Sequence, residues 1–573
     1  MTVSWLRASV TALLASMTLG GTALASPVAY TLSPVMSGSE LSAVAVEMKL
    51  TGNAAGQTTI ELPGDFGGVK DHWRYVRNFR VDGASFADDG TAKRVLRHAP
   101  GAALTLRYDV VSAYPADPTA DDGNPYNGAV VRPGWFAAAG DFLFARPSGG
   151  DDAAATFAWA GWPAGWTHVS DADHGSMGRA MTVGDVVEST LLAGPDVVLR
   201  TRPLPGGMLR LATRGQWSWS MDGYADTMGR ILSAERGFWG DVTGPFTVTL
   251  FQLIETKKHD SSGGTGRGDG FALYASPAVP ENILDETIAH EHTHTWIARR
   301  VGKMPDDDVE AGLYWFSEGF TEFYTARTLL HAGLWTPRQF IDNLNGKLAV
   351  YASSPARAYP NAKITSDFWK DPAVEQLPYR RGELFAYFLD RKLRQSGRAS
   401  GLDAVMFAMR DRWVAAPVGG KPPLLANLTA VLASFGLDIQ IDLARYIDKG
   451  EPIALASNQF AGCATVATIA IPAFDPGFDR DASAKAGIFA GVDQHGAAYA
   501  AGLRDGMKRL ARLGGQEGDS RVPLSYRVEA AEGVRVISWR PEGTARLTLQ
   551  EVQLTPALPD ARLAACTRTM SGA

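Results

Sequence analysis

The sequence predicts a multidomain chain. It has an all-β, sandwich-like N-terminal region, an α/β centre that passes into a helical lobe, and a β-rich C-terminal region. Three observations predict this. At 573 residues the chain exceeds what one hydrophobic core organises. The apolar period is two up to about residue 205, lengthens to a helical period from Ser218, and returns to two after Pro452. Clusters of Gly, Pro, Asn and Asp punctuate the outer regions as turns do. The expected segments are a leader over 1–25, a β domain over 26–205, a central domain over 206–455 and a last domain over 456–573.

The leader is read from Arg7, the apolar run Ala8–Leu19 and Ala23-Leu24-Ala25 before Ser26, the pattern of a secretory signal. That run is too short to span a membrane, and no later stretch reaches about 20 apolar residues, so the mature protein is expected to have no transmembrane segment. The expected location is periplasmic or extracellular. A net charge of −6 without a basic block leaves no electrostatic footprint for nucleic acid. In an oxidising compartment Cys463 and Cys566 either form one disulfide or remain two buried thiols.

Alternating strands are expected at Leu41–Leu50, Thr58–Leu62, Leu104–Val111 and Val197–Arg202, with a polar loop over Ala116–Arg132. In the centre, a helical pattern over Ser218–Trp239 leads to a strand at Phe246–Ile254 and a Gly-rich stretch, Ser261–Gly270. No helix pattern follows that stretch, which argues against a phosphate cradle. Two helices carry the chemistry, one over Glu281–Val301 and one over Leu313–Ala332. Between them, Arg299–Tyr314 reads as a polar loop whose Asp306, Asp307 and Asp308 are either solvated or a calcium-type cluster. Helices follow to about Ile453, and then strands at Thr465–Ile471, Ala486–Val492 and Ala545–Val552.

The first chemical helix contains His290-Glu291-His292-Thr293-His294, an HExxH pattern. Residues four apart lie one turn above each other, so both imidazoles aim at one point and suit two ligands of a tetrahedral zinc. Glu291, beside the first ligand, is better placed to take a proton from water than to bind the same ion. A third ligand is offered by Glu318 in Ser317-Glu318-Gly319-Phe320-Thr321. Glu322, one turn later, either hydrogen-bonds a ligand imidazole or is solvated.

HEHTHTW followed by SEGFTEFY resembles the glycyl aminopeptidase family of gluzincin metallopeptidases, down to Thr295, Trp296, Gly319, Phe320, Thr321 and Tyr324. The resemblance implies a thermolysin-like catalytic domain and peptide or protein substrates hydrolysed through a zinc-activated water. It implies His290, His294 and Glu318 as ligands and Glu291 as general base. Tyr379, in LPYRRGEL, matches the family's oxyanion-stabilising tyrosine, against the alternative of a packing residue. The family's cleft strand often reads GGLEH, whose acid binds the substrate amine. Here Gly264-Thr265-Gly266 stands in its place, with Asp269 as the nearest substitute and Arg267 favouring an anionic group.

The C-terminal region resembles a PDZ domain, with Gly487-Ile488-Phe489 at the carboxylate loop and AAYAAGLRDG after it. It departs from that pattern at Met507 and in Lys508–Gly515, which lacks the usual strand spacing. The resemblance implies capture of a C-terminal peptide, and a structural lid is the alternative. Three functions remain open: an aminopeptidase, an endopeptidase on the same scaffold, and a metal-retaining peptide-binding adaptor.

Overall fold

The computed structural model describes residues 26–572 apart from 66–68, 89, 241, 256–260, 306, 418–419 and 557–558. The expected leader lies outside the described residues, as do Asp306 and the side chains of Arg267, Asp307 and Asp308.

The N-terminal region packs a six-stranded sheet on a four-stranded one. The long hairpin Val28–Ser37 and Glu40–Thr51 sits at the centre of the first sheet. Its inward residues, Tyr30, Leu32, Val44, Val46 and Met48, meet Phe136, Ala138 and Leu191 of the second. This is the two-layer packing expected of alternating strands. The other face of the four-stranded sheet does not see water. Trp135, Ala137, Val169 and Leu192 pack on Ala212, Phe251 and Ala272 of the next sheet, giving a three-layer stack.

That next sheet is the central one, and elements are numbered from it. Its strands are β1 (Val198–Leu204), β2 (Gly207–Arg214), β3 (Phe246–Gln252), β4 (Ser262–Arg267) and β5 (Gly270–Ala275), in the order β1-β2-β3-β5-β4. β2, β3 and β5 run parallel, and β4 is an antiparallel edge. One expectation changes here. The strand read at Val197–Arg202 with the N-terminal region hydrogen-bonds to β2 and belongs to the central sheet. The Gly-rich stretch is an edge strand, as the resemblance implies, held by a continuous ladder from β5 that local propensity does not reveal.

Alternation along β2, β3 and β5 splits the sheet faces. Leu209, Leu211, Val248, Leu250, Phe271 and Leu273 face α1 (Met221–Trp239) and α2 (Glu281–Thr293), while Ala212, Phe251 and Ala272 face the N-terminal layers. The helical lobe follows, with α3 (Tyr314–His331), α4 (Pro337–Ser353) and α5 (Leu377–Ser396) around a large aromatic core.

The C-terminal stretch divides in two. β6 (Ala464–Phe474), β10 (Glu542–Leu554) and α7 (Asp560–Ser571) pack on the helical lobe through Cys463, Val466, Val552, Cys566 and Met570. A disulfide joins Cys463 to Cys566 there. Between β6 and β10 sits a module with its own core of Phe478, Phe489, Leu503, Tyr526, Val528 and Trp539. It holds α6 (Arg480–Ala486) and the sheet β7 (Lys508–Gly514), β8 (Leu524–Ala530) and β9 (Gly533–Trp539). The strand expected at Ala486–Val492 does not form. Ala486 ends α6, Gly487 caps it at φ 68°, and only Ile488 bridges a neighbour, Lys508. Lys508–Gly515, which lacks the usual spacing, is nevertheless a strand across most of its length, held by β8.

Candidate active site

α2 turns Leu284, Ile288 and Ala289 into the core against the sheet and leaves His290 and His294 on the opposite face. The helix stops at Thr293, short of the expected Val301. Past that point the backbone tightens into i→i−3 bonds and passes through Ala298 at φ 72°. Two side chains hold this ending. The Thr293 hydroxyl reaches the Ala289 carbonyl at 2.8 Å and the buried Glu235 carboxyl at 3.0 Å. Trp296 stacks on Trp239 with centroids 5.4 Å apart.

α3 brings Glu318 to the two histidines. Glu318 Oε2 lies 3.2 Å from His290 Nε2 and 3.5 Å from His294 Nε2, and the two imidazole nitrogens are 3.2 Å apart. A tetrahedron with metal–ligand bonds of about 2.0–2.2 Å has edges of about 3.3–3.6 Å, so these separations suit one shared zinc. Two imidazoles and a carboxylate are also a donor set that zinc accepts. The residues present therefore fit the group.

The outer nitrogens are occupied as well. His294 Nδ1 is 3.4 Å from the Ile297 carbonyl and 3.5 Å from the Thr321 hydroxyl. Glu322 Oε1 stands 3.6 Å from His290 Nδ1, so Glu322 is buried against the imidazole and not solvated. Such contacts orient imidazole ligands. Burial opposes ionisation of Glu318, but the adjacent histidines hold its carboxyl well below the usual range.

α5 crosses α3 at glycine. A Cβ on Gly319 would lie 2.3 Å from the Gly382 Cα, so the two backbones touch where any side chain would part them. This crossing carries Tyr379 to the site, its ring 6.2 Å from that of His290. Burial, with Glu318 and Glu291 adding to it, pushes the Tyr379 phenol well above its ordinary value and keeps it a proton donor at neutral pH.

Glu291, His294, Glu318 and Tyr379 line one cavity of about 300 Å³, together with Gly266 of β4. Among the residues expected to bind substrate, only Gly266 reaches it. Gly264 turns towards Phe271 and Ala272, and Thr265 does not line the cavity. Asp269 is removed from the site altogether. It forms an ion pair with Arg179 and stands 4.0 Å from His174, at the seam with the N-terminal layers. Gly487, Ile488 and Phe489 lie in the C-terminal module, with Phe489 buried in its core and its N–H given to the Met507 carbonyl.

Several functional neighbours escaped sequence reading. Glu235 had a signal, since it falls on the apolar stripe of α1 with Met228, Ile231 and Leu232. It binds His292 Nδ1 and Thr293 beneath the metal-binding turn. Glu310, Met304, Phe368 and Trp369 line the cavity from segments with no local motif.

Residues 284–376 match the family model described as M61 glycyl aminopeptidase. This catalytic segment is of the M61 glycyl aminopeptidase family. With its His-His-Glu cluster, the protein is a zinc-dependent metallopeptidase. No curated protein matches the chain. Among solved structures, an aminopeptidase N family protein from Idiomarina loihiensis aligns over 94% of this chain and 100% of its own, at 14% identity and a TM-score of 0.65. That structure shares this chain's fold. An M1 zinc metallopeptidase from Deinococcus radiodurans aligns over 75% of this chain and 96% of its own, at 16% identity and a TM-score of 0.47.

Proposed function

We propose that the protein is an exported aminopeptidase, with His290, His294 and Glu318 holding zinc, Glu291 as general base and Tyr379 as oxyanion donor. The observation that carries this reading is that Glu291, His294, Glu318 and Tyr379 line one small cavity beside β4, with His290 completing the ligand cluster 3.2 Å from Glu318. When bound there, zinc supplies Lewis acidity and brings the pKa of a water towards neutrality. Glu291 takes the proton from the attacking water and hands it to the leaving nitrogen. Tyr379 stays protonated and donates to the carbonyl oxygen as negative charge develops on it. Gly266 leaves Glu291 the space to move between these tasks, because a Cβ there would stand 2.8 Å from Glu291 Oε2.

With Asp269 committed to Arg179, the substrate ammonium falls to Glu310, whose carboxylate lines the cavity and accepts from the Tyr314 hydroxyl at 3.3 Å. Export is supported by the leader pattern and by the Cys463–Cys566 disulfide. Among the described residues no helix is long and apolar enough to cross a membrane. The organisation we propose is an N-terminal β region, a catalytic body and an accessory C-terminal module. The module offers a cavity of about 570 Å³ beside Gly487, lined also by Arg509, Arg512 and Tyr526, to a peptide C-terminus.

An endopeptidase is the second reading. It is favoured by the open outer edge of β4, along which an extended chain has backbone groups to pair with. Hydrolysis of one short peptide, free and N-acetylated, by the zinc-loaded protein separates the readings. Cleavage of the free form alone supports the aminopeptidase, and cleavage of both forms supports the endopeptidase. Silence on both returns the protein to the adaptor reading. Glu291→Gln should lose activity by a factor on the order of 10²–10⁴ with zinc content unchanged.

A further inference from the structure

The cavity has a second wall that the chemistry above does not use. Beside the His294 and Glu318 side chains, Met304, Tyr314, Phe368 and Trp369 also line the cavity. Three of these form a run of edge-to-face rings. Tyr314 and Phe368 have centroids 4.8 Å apart at 69°, and Phe368 and Trp369 have centroids 4.8 Å apart at 85°. Edge-to-face contact holds such rings in fixed orientations. Trp369 nevertheless remains 69% exposed, the most exposed aromatic side chain among the large hydrophobics at the surface. A large apolar side chain kept in water at the rim of a catalytic cavity has burial left to gain when a ligand arrives. Glycine, the residue in the family's name, has no side chain to collect that gain.

We propose that this wall selects a bulky apolar side chain, aromatic above all, on the first residue of the substrate, with Trp369 as the specificity-determining residue. The inference rests on the aminopeptidase reading. The main chain of that first residue lies towards Glu318 and Tyr379, and its side chain lies across the rings of Phe368 and Trp369. The cavity, at about 300 Å³, has room for one such side chain beside the reacting groups. Covering an aromatic side chain here should tighten binding on the order of 10–100-fold relative to glycine.

The test reads binding without turnover. Zinc-loaded full-length protein carrying Glu291→Gln is titrated calorimetrically with the dipeptides Phe-Gly, Gly-Phe and Gly-Gly, with and without Trp369→Ala. Phe-Gly should bind on the order of 10–100-fold tighter than Gly-Gly. Trp369→Ala should remove most of that difference and leave Gly-Gly unchanged, while Trp369→Tyr should keep it. Equal affinities, a preference for Gly-Phe, no binding of any dipeptide, or a preference untouched by Trp369→Ala would each overturn the inference. Hydrolysis is measured separately on the parent protein. An inactive parent whose Glu291→Gln variant still prefers Phe-Gly would overturn the aminopeptidase reading alone.

Discussion

Two buried polar clusters flank the cleft and handle charge in opposite ways. Behind α2, Lys347 from α4 lies 2.6 Å from Glu322 and 3.3 Å from Glu383, and Arg380 lies 3.0 Å from Glu322. Two cations thus face two carboxylates. Although burial works against it, Lys347 and Arg380 hold the Glu322 carboxyl well below its usual range. At the seam between β5 and the N-terminal layers, Asp171 accepts only from backbone, taking the Thr190 N–H at 2.7 Å. Burial raises its pKa to about 7. Nearby His174, bonded to the Thr247 hydroxyl at 2.8 Å, is lowered to about 3 by burial and by Arg210. The pair of clusters teaches that burial by itself neutralises a group, and that charge survives indoors only where a partner is built in.

The strongest way to break this comparison is Lys347→Met. It leaves two carboxylates facing each other with one cation, and should cost about 3–5 kcal/mol in urea denaturation. A loss below about 1 kcal/mol would place the cluster with ordinary surface pairs.

The seam cluster predicts a pH signature instead. Asp171 has a folded pKa of about 7 against 3.8. Its contribution is therefore full at low pH and is lost as pH rises to about 7. His174 has a folded pKa of about 3 against 6.5, so its contribution is full above 6.5 and is lost as pH falls. Between about pH 4 and 6.5 the two slopes, each at most about 1.4 kcal/mol per pH unit, oppose one another. Asp171→Asn should unmask the His174 slope, so that stability falls on acidification through this window. Denaturation midpoints at pH 4.5 and 6.5 check the sign, and an unchanged profile would refute it.

Gly266→Ala sharpens the contrast between holding a fold and holding a base. The new Cβ meets only the flexible end of Glu291, at 2.8 Å. Stability should change by no more than about 0.5 kcal/mol, while kcat falls on the order of 10–100-fold. Equal losses in both would show that β4 itself had shifted. The smallest effect is expected in the C-terminal module, where the Arg480–Glu517 pair is exposed. Arg480→Ala should cost at most about 1 kcal/mol, and less in high salt.

How much of this was legible depended on how local the cause is. His290 and His294 are four residues apart on one helix, so helical geometry alone aims them together. Glu318 was found through its motif. The glycines of that motif and of the Tyr379 segment become intelligible only as the Gly319–Gly382 crossing. The end of α2 was misplaced by eight residues because Thr293 and Trp296 take their partners, Glu235 and Trp239, from another helix. The strand expected at Ala486–Val492 was a pattern of small and apolar residues in which only Ile488 finds a bridge partner, Lys508. Phe489 satisfies the same pattern by entering the module's core.

By itself, then, the sequence determined that His290 and His294 share a helix face and that β, helical and β-rich regions follow in that order, because those depend on short-range spacing and hydrophobic period. Only the tertiary structure decided that Glu322 is charged, that Asp269 pairs with Arg179 at the seam, and that Phe368 and Trp369 line the same cavity as Glu318 and Tyr379. Each of these depends on a partner far away in the chain, Lys347 for Glu322, Arg179 for Asp269 and Tyr314 for Phe368, and no local pattern encodes which distant residue arrives.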